Sequence, residues 1–515
     1  MNRAIPHTEQ LAADAPPLQV LIVGAGFAGV GAGIRLREAG IDNFLICEKA
    51  VGIGGTWWHN RYPGAACDIA SHLYCYSFEP NPNWSRKFAP QAEIQAYIER
   101  CVDKYGIRDR IRLNTAVVSL DWEAERGLWR ARLGDGSVRH SRHVIFASGG
   151  LHLPAYPDIP GRGDFRGPSM HSAEWDASVD FSGKRVAVIG SAASAIQLVP
   201  ELARVAARID VYQRTPNYIA PRLDRAFSER EKARFARWPW LGRLYRHYLF
   251  LRGEWLLFPV VKTRRRSRWR ERLERMIRAH IRAEVAEPAT AEALLPSYPM
   301  GCKRILIADD FYQALNRRNV ELVTAGIERI APEGVQTTGG ELREADILVY
   351  ATGFDLEGYM RAAVVRGRNG RLLSEEWADI PRAYKGGFVP GFPNFYFTTG
   401  PNTGVGTTSV VYMIEAQLEL ILQAIASTGD GSAIEVTEDA YQRYNAEIRA
   451  ALQDTVWAGA CQSWYKRADG EIASLYPFNA RSYRRDHRQL ERGDFRWHAV
   501  AAGHDVRPTT ASADR

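Results

Sequence analysis

Three glycines and one acid near the start of the chain have the spacing of a dinucleotide-binding turn. The run VLIVGAG, residues 20–26, is a β-type apolar stretch, and FAGVGAGIRLREAG after it has helical apolar spacing. Gly24 permits a tight turn, Gly26 lets backbone amides approach a pyrophosphate, and Gly29 lets the helix pack on the strand. Glu48, 22 residues after Gly26, can accept a hydrogen bond from a ribose hydroxyl. The pattern predicts a dinucleotide with a free 2′-hydroxyl, either FAD or NAD.

A second unit of the same kind has an altered glycine pattern. KRVAVIGSAASAIQLVPELA, residues 184–203, again runs from a strand through a small-residue turn into a helix. Gly190 is present, but Ala192 adds a methyl group where a pyrophosphate should come closest. The next run ends in Arg214 and Thr215, and an arginine there suits a 2′-phosphate. The second turn is therefore predicted to bind NADPH. If the Ala192 methyl group pushed the pyrophosphate outward, NADPH would bind less tightly and uncoupled oxidation would rise, but the basic residues nearby favour retained binding and an active enzyme.

Two such units in one chain predict an α/β fold with two Rossmann-like dinucleotide-binding domains. They also predict a flavoprotein that takes hydride from a nicotinamide. Disulfide reductases and oxygen-activating monooxygenases are the nearest candidates. A disulfide reductase needs a CxxC or CxxxxC pair near the flavin, and the six cysteines form neither pattern. The monooxygenase interpretation is therefore favoured.

Two longer patterns show which family the sequence resembles. FRGPSMHSAEWD, residues 165–176, fits the pattern FxGxxxHxxxW[PD] of type I Baeyer–Villiger monooxygenases, and GGTWWHNRYPGAACD, residues 54–68, fits a second pattern of that family. Related flavin monooxygenases that oxidise amines and sulfides usually have Tyr or Phe at the end of the first pattern. Further similar segments follow in the family's order, and only the region around 222–300 and the two termini fall outside the resemblance. The fingerprint positions are Phe165, Gly167, His171, Trp175 and Asp176.

The resemblance implies a reaction and two catalytic residues. In the family, NADPH reduces FAD, oxygen adds to give a flavin C4a-peroxide, and the peroxide attacks a ketone to yield an ester or lactone. Arg304 matches the family's active-site arginine, which stabilises the peroxide and the tetrahedral adduct, and Asp68 matches its paired aspartate. Two alternatives stay open, namely oxidation of sulfides or amines and a flavin-binding protein without catalysis.

The same resemblance indicates which side chains hold the cofactors. Lys303 is similar to a family contact with the NADPH 2′-phosphate, and Trp57 is similar to a residue lining the flavin or nicotinamide pocket. His171 is expected to organise the linker between the nucleotide domains through a hydrogen bond, not to act in acid–base catalysis. The predicted cofactor-binding residues are Gly24, Gly26, Phe27, Ala28, Gly29, Glu48, Lys49, Gly55, Thr56, Trp57, Asp68, Tyr74, Val118, Gly190, Ser191, Ala192, Ser194, Arg214, Thr215, Lys303, Arg304 and Trp464.

Charge is concentrated in one part of the chain. The 515 residues carry a net charge of +8, and residues 262–282 alone hold ten Lys or Arg against two Glu. This stretch and the aromatic-rich residues 239–261 before it have helical apolar spacing. Solvated helix faces are the favoured interpretation, ahead of a patch that contacts anionic lipid and of nucleic-acid binding. No nucleic-acid partner is predicted.

Cysteine content and the N-terminus bear on the cellular compartment. Six scattered cysteines predict reduced thiols, with neither a disulfide framework nor a metal site. The N-terminus lacks an apolar core of signal-peptide length, and no stretch is long and apolar enough to span a membrane, so a cytoplasmic protein is expected. The expected small-molecule partners are O2 and an apolar ketone, and the sequence does not distinguish a monomer from a homodimer.

The predicted layout interleaves two nucleotide domains. Residues 1–152 and 386–515 are assigned to an FAD-binding domain, and residues 153–221 and 300–385 to an NADP-binding domain. A helical insertion at 222–299 interrupts the second domain. Catalysis is expected in the cleft between the nucleotide domains, with the aromatic-rich insertion favouring bulky apolar ketones.

Overall fold

The computed structural model describes residues 16–263, 267–355, 358, 362–429, 431–459, 461, 463, 465–467 and 469–500. Its strands are β1 (Leu18–Val23), β2 (Phe44–Cys47), β3 (Ile111–Arg112), β4 (Val117–Glu123), β5 (Leu128–Leu133), β6 (Val138–Phe146), β7 (Ser169–His171), β8 (Arg185–Ile189), β9 (Arg208–Tyr212), β10 (Ile219–Ala220), β11 (Leu306–Ile307), β12 (Val320–Val323), β13 (Ile327–Ala331), β14 (Gly334–Thr337), β15 (Leu342–Glu344), β16 (Ile347–Tyr350), β17 (Val364–Arg366), β18 (Phe395–Phe397), β19 (Ser432–Val436) and β20 (Phe495–Ala499). Its helices are α1 (Phe27–Glu38), α2 (Thr56–His59), α3 (Gln91–Lys104), α4 (Ala195–Leu202), α5 (Glu229–Arg237), α6 (Pro239–Arg252), α7 (Phe258–Val261), α8 (Arg268–Glu284), α9 (Pro288–Ala293), α10 (Phe311–Leu315), α11 (Leu373–Glu376), α12 (Val410–Ala426), α13 (Glu438–Gln453) and α14 (Ala480–Asp486).

The larger sheet is built around β1. Its strand order is β17-β4-β5-β6-β1-β2-β3, with β18 also paired to β6, and β1 runs parallel to both β2 and β6. β1 is apolar almost throughout because both of its faces are covered. Val20 and Ile22 pack in the cluster that includes α1 and α12, whereas Leu21 and Val23 pack in a cluster with β4 and β5.

The second sheet is entirely parallel. Its order is β12-β9-β8-β16-β7, so the chain extends to one side of β8 first and returns later to the other side. Val186 and Val188 of β8 pack against α4 in the core of this unit. Both sheets thus contain the reversal of strand order that marks ligand sites in doubly wound folds, and the two predicted Rossmann-like units are confirmed.

The insertion is helical, as predicted, and contacts both units. Ile277 and Ile281 of α8 are buried in the core of the second sheet. Leu249 and Phe250 at the end of α6 pack with Met413 of α12, a helix that covers the first sheet. A π-helical turn, Gly253–Leu257, joins α6 to α7. Among the described residues, no helix has the length and apolarity needed to cross a membrane.

The chain returns to the first sheet earlier than the predicted boundary at residues 385 and 386. β17 lies within the predicted second domain, but it pairs parallel with β4 of the first sheet, where Val365 stands opposite Leu120. Leu373 and Trp377 of the following segment share a buried cluster with the same strand. β17 has only three residues, too few to show a periodicity, so tertiary pairing alone fixes its place.

A disulfide corrects the prediction that all six cysteines are reduced. Cys302 and Cys461 are bonded, with their Cα atoms 6.5 Å apart and a sequence separation of 159. The remaining four cysteines are free and buried. The pair has no local spacing signature because only the folded chain brings its two segments together.

Candidate active site

The two glycine turns lie at the carboxyl ends of β1 and β8, where each sheet reverses its strand order. Gly24 has a φ of +102°, and a Cβ there would stand 2.7 Å from the carbonyl oxygen of Ala147, which follows β6. Gly190 has a φ of +111°, and a Cβ there would stand 2.5 Å from the carbonyl oxygen of Ala351, which follows β16. Both positions therefore require glycine for its conformation and for space. The two turns occupy equivalent places in two similar sheets.

The first turn has the shape of a phosphate cradle. Gly26 is the N-cap of α1, and a Cβ on Gly29 would stand 1.8 Å from the carbonyl oxygen of Gly24. A Cβ on Gly55 would stand 2.9 Å from the Cα of Gly26, so two glycine backbones meet here. Free N–H groups at a helix N-terminus without side chains in front of them suit a pyrophosphate. The predicted residues in the first turns of the adjoining helices are Phe27, Ala28 and Thr56.

The Glu48 carboxylate lies beside the first turn. Its two oxygens accept the backbone N–H groups of Ala25 at 2.7 Å and Ala50 at 2.8 Å, and the side chain is buried. This position suits a hydrogen bond to a ribose. Burial lowers the pKa of neighbouring Lys49, and burial together with Lys49 lowers the pKa of His152 to about 4. His152 is therefore neutral at physiological pH.

Three aromatic rings stand next to the first turn. The indole N–H of Trp57 donates to the hydroxyl of Tyr74 at 3.1 Å, and their rings are nearly perpendicular. Phe27 meets the same tyrosine edge to face, with ring centres 5.2 Å apart. Burial raises the pKa of Tyr74, so its hydroxyl stays protonated. Trp464, predicted to line the same pocket, lies outside the described residues.

Arg304 and Asp68 form an ion pair that joins the two units. The Nε and Nη2 atoms of Arg304 donate to Oδ2 of Asp68 at 2.8 and 2.7 Å. Side-chain exposures of 31% and 28% leave the pair mostly shielded but reachable. The Asp68 carboxylate raises the pKa of Arg304 above its already high value, so the guanidinium keeps its charge. The contact predicted from two segments 236 residues apart is present.

The second turn has an open backbone. Ala192 is exposed, and its carbonyl accepts the N–H of Ile196 at 3.1 Å, near the start of α4. The carbonyl of Ser191 accepts a hydrogen bond from the Asn217 amide at 3.2 Å, and Ser194 is the N-cap of α4. Ala192 therefore lies at an accessible position of the turn, and its effect on a bound pyrophosphate stays a prediction.

Positive charge collects beside the second turn. Arg214 follows β9 and is exposed, and Thr215 after it is half-buried. Burial and the neighbouring Arg214 lower the pKa of Lys303. The Nζ of Lys303 also lies 4.9 Å from the ring centre of Tyr298. An arginine and a lysine this close together suit a dianionic phosphate.

His171 is a structural residue at the end of β7. Its side chain is fully buried, and Nδ1 accepts the backbone N–H of Ala173 at 3.1 Å. The rings of Tyr156 and Phe354 stand edge-on at 5.4 and 5.9 Å. Burial lowers the pKa of His171, which keeps the imidazole neutral. His171 therefore makes a local hydrogen bond, and its role in organising the linker between the nucleotide domains stays a prediction.

The other fingerprint residues pack locally within and beside the same segment. A Cβ on Gly167 would stand 2.2 Å from the carbonyl oxygen of Asp346, so only glycine allows this approach. Trp175 stacks on Phe181 with ring centres 5.1 Å apart. Asp176 closes a turn by accepting from Ser178, and Phe165 packs beside the second sheet.

Two residues at the site have roles that the sequence patterns do not indicate, and one predicted residue stands apart. The buried Tyr465 hydrogen-bonds to Arg304; its position next to the predicted Trp464 was an available signal. Gln197 of α4 accepts from the Tyr62 hydroxyl at 2.9 Å and donates to the carbonyl of Ala66 at 3.0 Å, which ties the units together. No local sequence feature of Gln197 indicates this contact.

The predicted cofactor-binding residue Val118 lies apart from the site. It is exposed on β4 and makes none of the contacts described above.

The fold and the site define a class of protein. Two doubly wound units, each with a glycine turn at its switch point, joined by an ion pair, are typical of oxidoreductases that use two nucleotides. A family model described as pyridine nucleotide-disulphide oxidoreductase matches residues 21–233.

Comparisons over nearly the whole chain narrow this class. A Baeyer–Villiger monooxygenase of Pseudomonas aeruginosa is 41% identical over 483 residues, covering 92% of this chain and 91% of that protein. One of Streptomyces coelicolor is 37% identical over 482 residues, covering 93% and 92%. The solved structure of oxidized steroid monooxygenase bound to NADP matches with a TM-score of 0.83 at 32% identity, over 94% of this chain and 99% of that one. A closed crystal structure of cyclohexanone monooxygenase matches with a TM-score of 0.85 at 28% identity, over 94% and 99%. The protein belongs to the Baeyer–Villiger monooxygenase family.

Proposed function

We propose that this protein uses NADPH and O2 to insert one oxygen atom next to the carbonyl group of an apolar ketone, giving an ester or a lactone. The observation that carries the proposal is the ion pair of Arg304 and Asp68, because it fixes a permanent cation at a contact between the two units. A half-shielded guanidinium suits a reaction in which oxygen atoms become negative.

The residues present fit FAD at the first turn and NADPH at the second. Gly26 and Gly55 leave backbone room for a pyrophosphate, and Glu48 is available to a ribose. Arg214 and Lys303 would hold the 2′-phosphate that distinguishes NADPH. When bound, the two groups supply the electrons and the ring that activates oxygen.

Arg304 has the role of stabilising negative charge. Its guanidinium cannot give up its proton under working conditions, so it attracts an anionic oxygen without neutralising it. Asp68 and Tyr465 hold its direction by contacting the same group. The donors are therefore in place before the carbonyl oxygen becomes negative, which is the condition for a large effect on rate.

Replacement of Arg304 tests this role directly. We expect Arg304→Ala to keep reduction of the bound flavin by NADPH and to lower ester formation by about 10²–10³-fold or more, the cost of losing one oxyanion donor. Stopped-flow absorbance would follow the first step and gas chromatography the second. Arg185→Ala is the matched control, because Arg185 pairs with Asp346 on the far side of the second unit. Ester yield close to that of the unaltered protein would contradict the proposal.

A substrate panel separates this reaction from its alternatives. Cyclic, linear and aryl ketones would be offered beside aryl methyl sulfides, with NADPH and oxygen present. Ester formation from ketones supports the proposal. Sulfoxide without ester would assign heteroatom oxidation instead, and no reduction of flavin by NADPH would indicate a protein without catalysis.

A further inference from the structure

Exposed apolar side chains are concentrated in the helical insertion. Of the seventeen large hydrophobic residues that are exposed in the described chain, eight lie between residues 238 and 276. They include every exposed tryptophan of the described residues, namely Trp238, Trp240 and Trp255. Exposed apolar patches of this density mark contact surfaces.

These side chains form a ridge along α6 and the π-helical turn. Trp240, Leu244 and Tyr248 recur every four residues, so they share one face of α6, and each is more than half exposed. Trp255, in the turn that continues the helix, is 68% exposed. The opposite face anchors the helix, since Phe250 packs on Tyr412 with ring centres 4.8 Å apart. The ridge is therefore held in place while it faces solvent.

The exposed charged side chains of the described residues from 238 to 276 all have one sign. Arg243 and Arg252 on α6, and Arg268, Arg272 and Arg275 on one face of α8, are exposed. The acidic side chains of this region are buried or half-buried. Glu254 is buried and accepts the N–H of Ala480, Glu274 accepts the N–H of Met300, and Glu271 is half-buried. Within the described residues from 238 to 276, no acidic side chain is exposed.

We propose that the insertion docks on the surface of an anionic lipid bilayer, with the Trp240–Trp255 ridge in the interfacial region and the arginines on lipid phosphates. Tryptophan and tyrosine favour the membrane interface, and basic residues add attraction to anionic headgroups. Leu244 and Leu256 offer little to the backbone of a nucleic acid, and a uniformly cationic face would repel a second copy of itself. This docking proposal does not depend on the proposed catalytic reaction.

Vesicle binding by the full-length protein tests this surface. We expect co-sedimentation with vesicles of phosphatidylcholine and phosphatidylglycerol, little with phosphatidylcholine alone, and weakening by salt. Trp240→Ser with Trp255→Ser should lower the partition coefficient about tenfold. Arg268→Gln with Arg272→Gln should lower the partition coefficient about fivefold for each arginine removed, which corresponds to about 1 kcal/mol per arginine.

Matched variants elsewhere on the surface provide the controls. Val205→Ser with Leu342→Ser removes exposed apolar groups, and Arg166→Gln with Arg485→Gln removes exposed charges, both outside the insertion. These variants should bind vesicles normally, and circular dichroism would check that every variant folds. The proposal is overturned if anionic vesicles do not bind the protein or if the ridge variants bind as well as the controls. It is also overturned if the ridge variants convert a dimer to a monomer in light scattering, or if duplex DNA displaces the vesicles.

Discussion

Single charged side chains determine what the second nucleotide turn can hold. Lys303 and Arg214 lie close enough for the arginine to lower the pKa of the lysine, and burial lowers it further. The arginine keeps its proton at any working pH, whereas the lysine loses its proton at a lower pH than an ordinary lysine does. One of the two charges at this site therefore depends on pH.

This difference predicts a pH-dependent affinity for NADPH. A lysine is charged below its pKa, so Lys303 loses its charge at a lower pH than an ordinary lysine, whose pKa is about 10.4. We expect the Kd for NADPH to rise as the pH approaches the lowered pKa of Lys303 and the side chain loses its charge, and Lys303→Arg to remove that rise. Fluorescence titrations at several pH values would measure it. NADH, which lacks the 2′-phosphate, is the control ligand, and an equal rise for NADH would contradict the role of Lys303.

The sequence predicts contacts between residues only where a family pattern covers both partners. Asp68 lies in the family pattern at residues 54–68 and Arg304 matches a family residue, and the structure pairs them at 2.7 Å. Gln197 is a half-buried residue of α4, and its bond to Tyr62 exists only because two units meet. Contacts across a domain interface depend on docking, which local periodicity does not encode.

Each nucleotide site is built from a strand, a turn and a helix that must pack together without a gap. The predicted sequence of elements is present twice, as β1 with α1 and as β8 with α4. Gly29 is the tightest point of the first unit, because a Cβ there would collide with backbone rather than with a movable side chain. The short β17 and the place where the chain rejoins the first sheet were not predictable, since three residues carry no pattern.

Gly29→Ala should therefore destabilise the first unit. The added methyl group would stand 1.8 Å from the Gly24 carbonyl oxygen, so α1 must shift away from the turn. We expect the free energy of unfolding to fall by about 1–3 kcal/mol or more, as for other overpacked sites, and the purified protein to contain less flavin. Urea titration and the flavin absorbance would measure both effects. Gly163→Ala is the control, because a Cβ there meets nothing within 4 Å; equal behaviour of the two variants would refute the packing argument.

The disulfide of Cys302 and Cys461 connects the segment that carries Arg304 to the C-terminal part of the chain. Cys302 is separated from Arg304 by one residue, and Cys461 by three residues from Tyr465, which contacts the same arginine. The bond therefore stands next to the ion pair that joins the two units.

Removing this bond should reduce stability. We expect Cys302→Ser with Cys461→Ser to lower the free energy of unfolding by about 2–4 kcal/mol, because an unfolded chain without the cross-link has more freedom. Differential scanning calorimetry would show a lower Tm. A reducing agent should lower the Tm of the unaltered protein to that of the variant and leave the variant unchanged. If the reducing agent had no effect on the unaltered protein, the two thiols would be unbonded in solution.

The same bond makes the chain between residues 302 and 461 a closed ring. Hydrolysis of any single peptide bond within that ring adds one water molecule to the mass and releases no fragment. The separate pieces appear only after reduction. A nick in the second unit would thus leave Arg304 and Tyr465 tethered to each other by a covalent path much shorter than the stretch of backbone that was cut.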